Sequence, residues 1–204
     1  MRAPTHRRFS RFLSWLLLLG GAAFLYVGAR DFLGGIFGQR EAAREWRRQQ
    51  PASQGPDMGT AVAKLSIPRL DAAWFVFEGT DQEELRLGPG HMRGTAMPGS
   101  AGNCVIAGHR DTHFRVLKDI RKGDEIDVET HTGHFRYQVT GLSIVRPANT
   151  EALAPSTHAI MSLITCYPFY YVGPAPKRFV VRAELEPPEV ARAPVVEVPI
   201  ESPG

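Results

Sequence analysis

Three side chains in this sequence could together carry out acyl transfer. Cys166 ends the strand-like run Ser162-Leu163-Ile164-Thr165-Cys166, and Pro168 follows two residues later. Because proline cannot donate a hydrogen bond to a sheet, we expect the strand to end there and to present the thiol beside a loop. His109 lies upstream of the cysteine and Arg178 lies downstream. A thiol, an imidazole and a guanidinium are the groups that a cysteine-dependent acyl transferase needs.

Each of these residues also has an ordinary structural interpretation. A lone cysteine in an apolar strand is commonly a small core residue, and a histidine directly after a glycine is typical of a turn. Arg178 begins a predicted strand whose alternate residues, from Phe179 to Leu185, share the core-facing parity. Arg178 therefore points away from the core, either into solvent or into a groove on the outer wall.

A metal site is a second interpretation of the histidine segment. In His109-x-Asp111-x-His113, alternate residues could share one face of a strand, and two histidines with an aspartate can ligate a metal. Asp111 and Thr112 are more typical of a turn, and no further ligand is evident. We therefore predict no metal and no other cofactor.

The second cysteine, Cys104, is predicted to be a buried core thiol. It lies five residues before His109 on an extended strand, which separates the two by about 16 Å. Two cysteines do not make a disulfide framework or a zinc site. A disulfide between Cys104 and Cys166 remains an alternative.

Bulk composition limits the classes of function. The 204 residues suit one domain with appendages, and 43% hydrophobic with 22% charged residues is an ordinary globular balance. A formal net charge of +3, with basic residues clustered near the N-terminus, gives no basis for a nucleic-acid partner.

The N-terminal segment is predicted to anchor the chain in a membrane. Residues 12–29 form an apolar run without a charge, close to the lower limit of length for a bilayer span, and residues 1–11 are basic. The basic flank favours a cytoplasmic N-terminus and a catalytic domain on the extracytoplasmic side, although arginines after the span weaken the asymmetry. A cleaved signal peptide and a buried core helix are the alternatives.

The remaining chain divides into three parts. Residues 30–59 read as a charged helical stalk followed by a breaker-rich linker, residues 60–185 as the folded domain, and residues 186–204 as a Pro-rich, extended or disordered tail. Strand patterns dominate the domain. They fall at 62–67, 72–77, 103–107, 125–130, 135–145, 159–166 and 177–185, with short helical segments at 81–87, 114–120 and 150–153. About eight short strands with few helices indicate a closed or nearly closed β-barrel.

The three candidate residues together resemble the sortase family of membrane-anchored cysteine transpeptidases, most closely its class D branch. The resemblance rests on a strand ending in LITC followed by YPF, an earlier AGHRDTHF, and an arginine soon afterwards in APKRFVV. The histidine precedes the cysteine by 57 residues (166 − 109), and the arginine follows it by 12 (178 − 166). The pattern covers about residues 61–185 and extends to the anchor, but not to the tail.

This resemblance implies an eight-stranded sortase-type barrel behind an N-terminal transmembrane helix. It implies Cys166 as the nucleophile, His109 as the general acid and base, Arg178 as the charge-stabilising group, and Thr165 as a residue that supports substrate binding. The implied partners are the lipid bilayer, membrane-anchored proteins bearing a C-terminal Leu-Pro-x-Thr-Gly-like sorting signal, and an amine acceptor.

Two other functions stay open from the residues. An L,D-transpeptidase or other exported cysteine peptidase shares the thiol chemistry, but L,D-transpeptidases place the arginine close after the cysteine in a Ser-x-Gly-Cys-type motif. A non-catalytic, membrane-tethered β-barrel that binds a partner is the alternative from a different class.

Overall fold

Alternating apolar residues close a β-barrel in this computed structural model, which describes residues 5–47 and 60–187. Within that part of the chain, eight strands form the closed order β1-β2-β3-β4-β7-β8-β6-β5. The strands are β1 (Ala61–Ile67), β2 (Ala72–Glu78), β3 (Gly90–His91), β4 (Gly102–Gly108), β5 (Glu125–Thr130), β6 (Gly133–Val145), β7 (Ala159–Tyr167) and β8 (Lys177–Leu185). The predicted fold class is therefore confirmed. The breaker segment 51–59 and nearly all of the predicted tail lie outside the described residues.

The barrel core follows from strand parity. On β8, Val181 and Ala183 are fully buried in the central cluster, and Phe179 and Leu185 pack against it, as the alternation predicts. Strand β7 contributes Met161 and Leu163 to the same cluster, along with residues of β1, β2, β4, β5 and β6. Residues of opposite parity on β7 and β8 therefore lie on the outer wall.

Strand β3 was missing from the sequence-based prediction, because two residues are too few to show a period. Its His91 is buried at 2% exposure. The His91 ring shares a hydrogen bond with Glu78 Oε2 through Nδ1 (2.8 Å) and lies 3.1 Å from the carbonyl oxygen of Ala96 through Nε2. These partners account for His91 as a structural residue that holds β3 beside β2.

Short helices connect the strands. Helix α2 (Gln82–Leu87) begins after Asp81, and 3₁₀ helices span Pro68–Leu70, His113–Asp119 and Glu151–Leu153. The helical segments predicted at 81–87, 114–120 and 150–153 are thus present, with bounds that differ by at most one residue.

The first element, helix α1 (Thr5–Trp46), runs without a break through both the apolar run and the charged segment after it. Its stretch Ser14–Trp46 has an apolar window of mean hydropathy 1.5 and is long enough to cross a membrane. Residues 14–30 are exposed throughout, so this segment is not a core helix of the described domain. Length and composition alone also fit a signal sequence.

The last turns of α1 pack against the barrel. The Gln39 side chain accepts a hydrogen bond from the Phe75 backbone N–H (2.7 Å) and donates to the carbonyl oxygens of Phe75 (3.0 Å) and Leu87 (3.1 Å). Ala42 is buried against Ala61 and Phe77. The predicted stalk segment thus contacts the domain directly.

Candidate active site

Two neighbouring strands place Cys166 and Arg178 side by side. Strands β7 and β8 are antiparallel, and Cys166 is the register partner of Arg178. Direct partners in an antiparallel pair project to the same face, with their Cβ atoms about 4.5–5.5 Å apart. Thr165 and Leu163 face the core, so Cys166 and Arg178 both project from the outer wall. Both residues are partly exposed.

His109 follows strand β4, which pairs with β7 on the side opposite to β8. Strand β4 runs parallel to β7, and the pairing ends with Gly108 opposite Thr165. His109 is the next residue, so it leaves β4 at the level of Cys166. The three predicted catalytic residues therefore lie at the same end of the β4-β7-β8 sheet, although 69 residues of sequence (178 − 109) separate the first from the last.

Thr165 fixes the end of β4. Its side chain is 2% exposed, and Oγ1 donates a 2.7 Å hydrogen bond to the carbonyl oxygen of Gly108. The hydroxyl is thus occupied by the backbone of the residue that precedes His109. In this conformation the Thr165 hydroxyl does not have its proton free to donate to a substrate, because it donates to the Gly108 carbonyl oxygen.

The Arg178 guanidinium keeps part of its hydrogen-bonding capacity free. Its Nη1 donates to the carbonyl oxygens of Ala175 (3.3 Å) and Lys177 (3.1 Å), within the segment that leads into β8. Within residues 5–47 and 60–187, Nε and Nη2 make no hydrogen bond. These N–H groups can donate to an oxygen that develops negative charge beside Cys166.

An aromatic cluster forms the base of the loop beside the thiol. Phe169 packs edge-on against Tyr167 (ring centroids 6.0 Å apart) and against Phe179 (5.4 Å). Phe169 and Phe179 also pack against the barrel core. The cluster therefore holds both ends of the β7–β8 loop, residues 168–176, close to the strands that carry Cys166 and Arg178.

A second histidine, His113, lies close enough to His109 to interact with it electrostatically. Burial, and to a smaller extent the positive charge of His109, lower the pKa of His113. A Cβ atom built on Gly35 of α1 would lie 3.6 Å from Cε1 and Nε2 of His113, so this ring lies against the helix. Asp111 is exposed. Among the described residues, no three His, Cys, Asp or Glu side chains are grouped to hold a metal ion.

Cys104 has a different environment from Cys166. It is 1% exposed in the core cluster, and burial, reinforced by the charge of Glu78, raises the pKa of its thiol to about 12. Its register partner on β7 is Met161, five positions from Cys166. Both cysteines are free thiols, so the alternative of a disulfide between them is not observed.

Sequence reasoning missed Arg110. This residue follows His109, and its side chain contacts the β7–β8 loop through backbone carbonyl groups. A bond to a carbonyl 61 or 63 residues away leaves no pattern in residue types. The only available signal was the position of Arg110 next to the candidate histidine.

Comparison with known proteins agrees with this barrel. The Sortase domain family model matches residues 65–186. The chain belongs to the sortase family.

The curated relatives of this chain include a class D sortase. The chain is 37% identical to Sortase D of Bacillus subtilis over 131 residues, which are 64% of this chain and 66% of that protein. It is 36% identical to Sortase SrtE1 of Streptomyces coelicolor over 119 residues, 53% of this chain and 33% of that protein. The chain thus matches less than two thirds of the length of these curated relatives.

Solved structures share the barrel. A Clostridium perfringens Sortase D5 transpeptidase aligns with a TM-score of 0.65 at 25% identity, over 76% of this chain and 99% of that one. Sortase A from Corynebacterium diphtheriae aligns with a TM-score of 0.60 at 26% identity, over 80% of this chain and 87% of that one. The class D resemblance inferred from the sequence is confirmed.

Proposed function

We propose that this protein is a cysteine transpeptidase that cleaves a Leu-Pro-x-Thr-Gly-like sorting signal and transfers the acyl group to an amine. The observation that carries the proposal is the register of three strands. It puts Cys166 opposite Arg178 on β8 and level with the end of β4, where His109 begins. Membership of the sortase family supports the same chemistry.

The first half-reaction would form a thioester. The Cys166 thiolate attacks the threonine carbonyl carbon of the signal, and the carbonyl oxygen becomes an oxyanion. The C–N bond to glycine then breaks as the His109 imidazolium gives a proton to the leaving amine. The acyl fragment remains on the sulfur, and His109 is left neutral.

The second half-reaction would reverse these roles. An incoming amine attacks the thioester carbonyl and gives a proton to His109, and the thiolate departs as the new amide forms. If water attacks in place of the amine, the product is a carboxylic acid and the reaction is hydrolysis.

The other two residues would support both steps. The free Nε and Nη2 groups of Arg178 donate hydrogen bonds to the oxyanion or to the bound peptide. Thr165 supports substrate binding by fixing Gly108, and hence the start of the His109 turn, through its buried hydrogen bond.

Helix α1 would keep the enzyme beside its substrates. We place the helix in the cell membrane as a single span, with residues 1–11 in the cytoplasm and the barrel on the extracytoplasmic side. The substrates would be proteins held in the same membrane by their own C-terminal segments, so encounter would be confined to the membrane surface.

Cys166→Ala tests the proposal, with Cys104→Ala as the matched control. We expect Cys166→Ala to abolish cleavage of a fluorogenic Leu-Pro-x-Thr-Gly peptide and to leave the circular dichroism spectrum unchanged. Cys104→Ala should retain turnover, because Cys104 is in the core and away from the site. Turnover by Cys166→Ala at the wild-type rate would show that cleavage does not use this thiol and would contradict the proposed mechanism.

A further inference from the structure

The β7–β8 loop is held at its base but has few contacts at its tip. Phe169 packs against the core, whereas the exposed fractions of Tyr170, Tyr171 and Val172 are 73%, 45% and 98%. Cys166 lies just before this loop and Arg178 just after it. The position of the tip therefore affects the shape of the surface on which a peptide would meet the thiol.

Arg110 supplies the tip with its main attachment among the described residues. Its Nη2 donates to the carbonyl oxygens of Tyr171 (2.8 Å) and Gly173 (2.9 Å), and its guanidinium carbon lies 5.7 Å from the centroid of the Tyr171 ring. Two bonds from one charged nitrogen, with an aromatic ring stacked nearby, suit the planar arginine fork. Among the described residues, two further side chains contact Tyr170 of the tip: the Arg115 guanidinium lies 5.6 Å from the centroid of its ring, and Lys118 interacts electrostatically with its side chain.

Arg110 is also placed where it can connect the His109 segment with the β7–β8 loop. It is the residue after His109, so one backbone segment carries both the imidazole and the attachment of the loop. Its Nη1 is buried and has no hydrogen-bond partner in the described residues. A buried, unpaired donor costs free energy, which the two hydrogen bonds of Nη2 and the contact with the Tyr171 ring must offset.

We propose that Arg110 is a positioning residue that joins the His109 turn to the β7–β8 loop and thereby sets the groove for the sorting peptide. The inference rests on the proposed function. Arg110 touches backbone carbonyls and a tyrosine ring, not the reacting atoms, so its loss should act on peptide binding before it acts on the chemical step. We therefore expect a change mainly in KM.

The test compares Arg110→Ala and Arg110→Lys with the wild type, with Arg93→Ala as the control. Arg93 is exposed on the β3–β4 connection, and its removal changes the net charge by the same amount. Losing two charge-assisted bonds should raise KM for the Leu-Pro-x-Thr-Gly peptide by about tenfold, while kcat stays within about threefold. Arg110→Lys should recover part of the loss, because an ammonium can reach the carbonyls but cannot stack as a plane.

A second readout does not depend on activity. Chymotrypsin cleaves after tyrosine, so the rate of cutting after Tyr170 and Tyr171, identified by fragment mass, reports how freely the tip opens. We expect about tenfold faster cutting in Arg110→Ala than in the wild type, and no change in Arg93→Ala. A structural role confined to general stability would instead lower the thermal midpoint and leave the ratio of KM to kcat unchanged.

Wild-type values of both KM and loop cleavage in Arg110→Ala would overturn the inference. If that variant does not fold, Arg110→Lys decides alone, and wild-type values of both quantities would overturn the inference in the same way. A wild-type protein that cleaves no sorting peptide would contradict the proposed function. The proteolysis comparison would still show whether Arg110 holds the loop.

Discussion

At the scale of single residues, the two cysteines show how position decides the chemistry of one side chain. Cys104 lies inside the barrel, where burial raises the pKa of its thiol to about 12 and leaves it protonated and inert. Cys166 lies at a strand end, partly exposed and opposite a guanidinium. A thiol in the second setting is accessible to a substrate and has a cation in the neighbouring register position.

The role of Arg178 is testable against a neighbour on its own strand. We expect Arg178→Ala to lower kcat/KM about 10²–10³-fold, as the loss of an oxyanion donor does elsewhere. Arg178→Lys should recover little, since a point charge lacks the fork that lets Nε and Nη2 donate together. Steady-state kinetics with the Leu-Pro-x-Thr-Gly peptide provides the measurement.

Arg182→Ala is the control for that experiment. Arg182 is exposed on the same outer face of β8, but its register partners are Ser162 and Gly141, away from Cys166. Its removal should leave kcat/KM within about twofold, because a surface arginine makes a small contribution. Near wild-type activity of Arg178→Lys would show that charge alone suffices and would contradict the hydrogen-bonding role.

At the scale of elements, the docking of helix α1 on the barrel was not predicted from the sequence. Its charged continuation was interpreted as a stalk, because arginine, glutamate and glutamine along a helix are typical of a solvated surface. In the structure, the Gln39 amide satisfies the backbone of Phe75 and the end of α2 at Leu87. A polar residue that bonds to backbone groups in this way looks the same in sequence as one that faces water.

Gln39→Ala should therefore weaken the docking of α1 on the barrel. Removing three partly buried hydrogen bonds is expected to lower the free energy of unfolding by about 1–3 kcal/mol, measured by urea titration of the full chain in detergent. Arg40→Ala is the control, since Arg40 is exposed on the same helix and should change stability by less than about 0.5 kcal/mol. Equal stability of both variants would show that the Gln39 contacts do not hold the helix.

Strands were predicted far better than the contacts between them. Periodicity of two residues located seven strands to within two residues at each end, and it gave the core face of β8 correctly. It could not find β3, which has two residues, nor the parallel pairing of β4 with β7, which joins segments 57 residues apart. Pairing over that distance depends on the packing of the whole barrel and not on any local pattern.

At the scale of the whole molecule, the docked helix ties the position of the site to the position of the apolar segment of α1. Helix α1 leaves its apolar segment and packs against α2, β2 and the His113 ring within a few turns. Trp46 continues the contact, with its ring 5.8 Å from Phe75 and 4.1 Å from His131 between centroids. If α1 spans the membrane as proposed, the barrel is held against a rigid continuation of the span.

The candidate site itself was predictable as a set of residues but not as a geometry. Residue types and order pointed to His109, Cys166 and Arg178, whereas their convergence depends on β7 being flanked by β4 and β8. Thr165 was expected to support substrate binding, and the structure shows its hydroxyl bonded to Gly108. Such a bond between a side chain and a distant backbone carbonyl has no sequence signature.

A covalent intermediate on Cys166 is the most direct test of the account. The full-length protein would be mixed with a Leu-Pro-x-Thr-Gly peptide without an amine acceptor, quenched in acid, and examined by intact and peptide mass spectrometry. We predict an adduct equal in mass to the acyl fragment, located on the peptide that contains Cys166 and released by hydroxylamine. Cleavage of the peptide with no adduct at Cys166, or with an adduct on Cys104, would contradict the proposed mechanism.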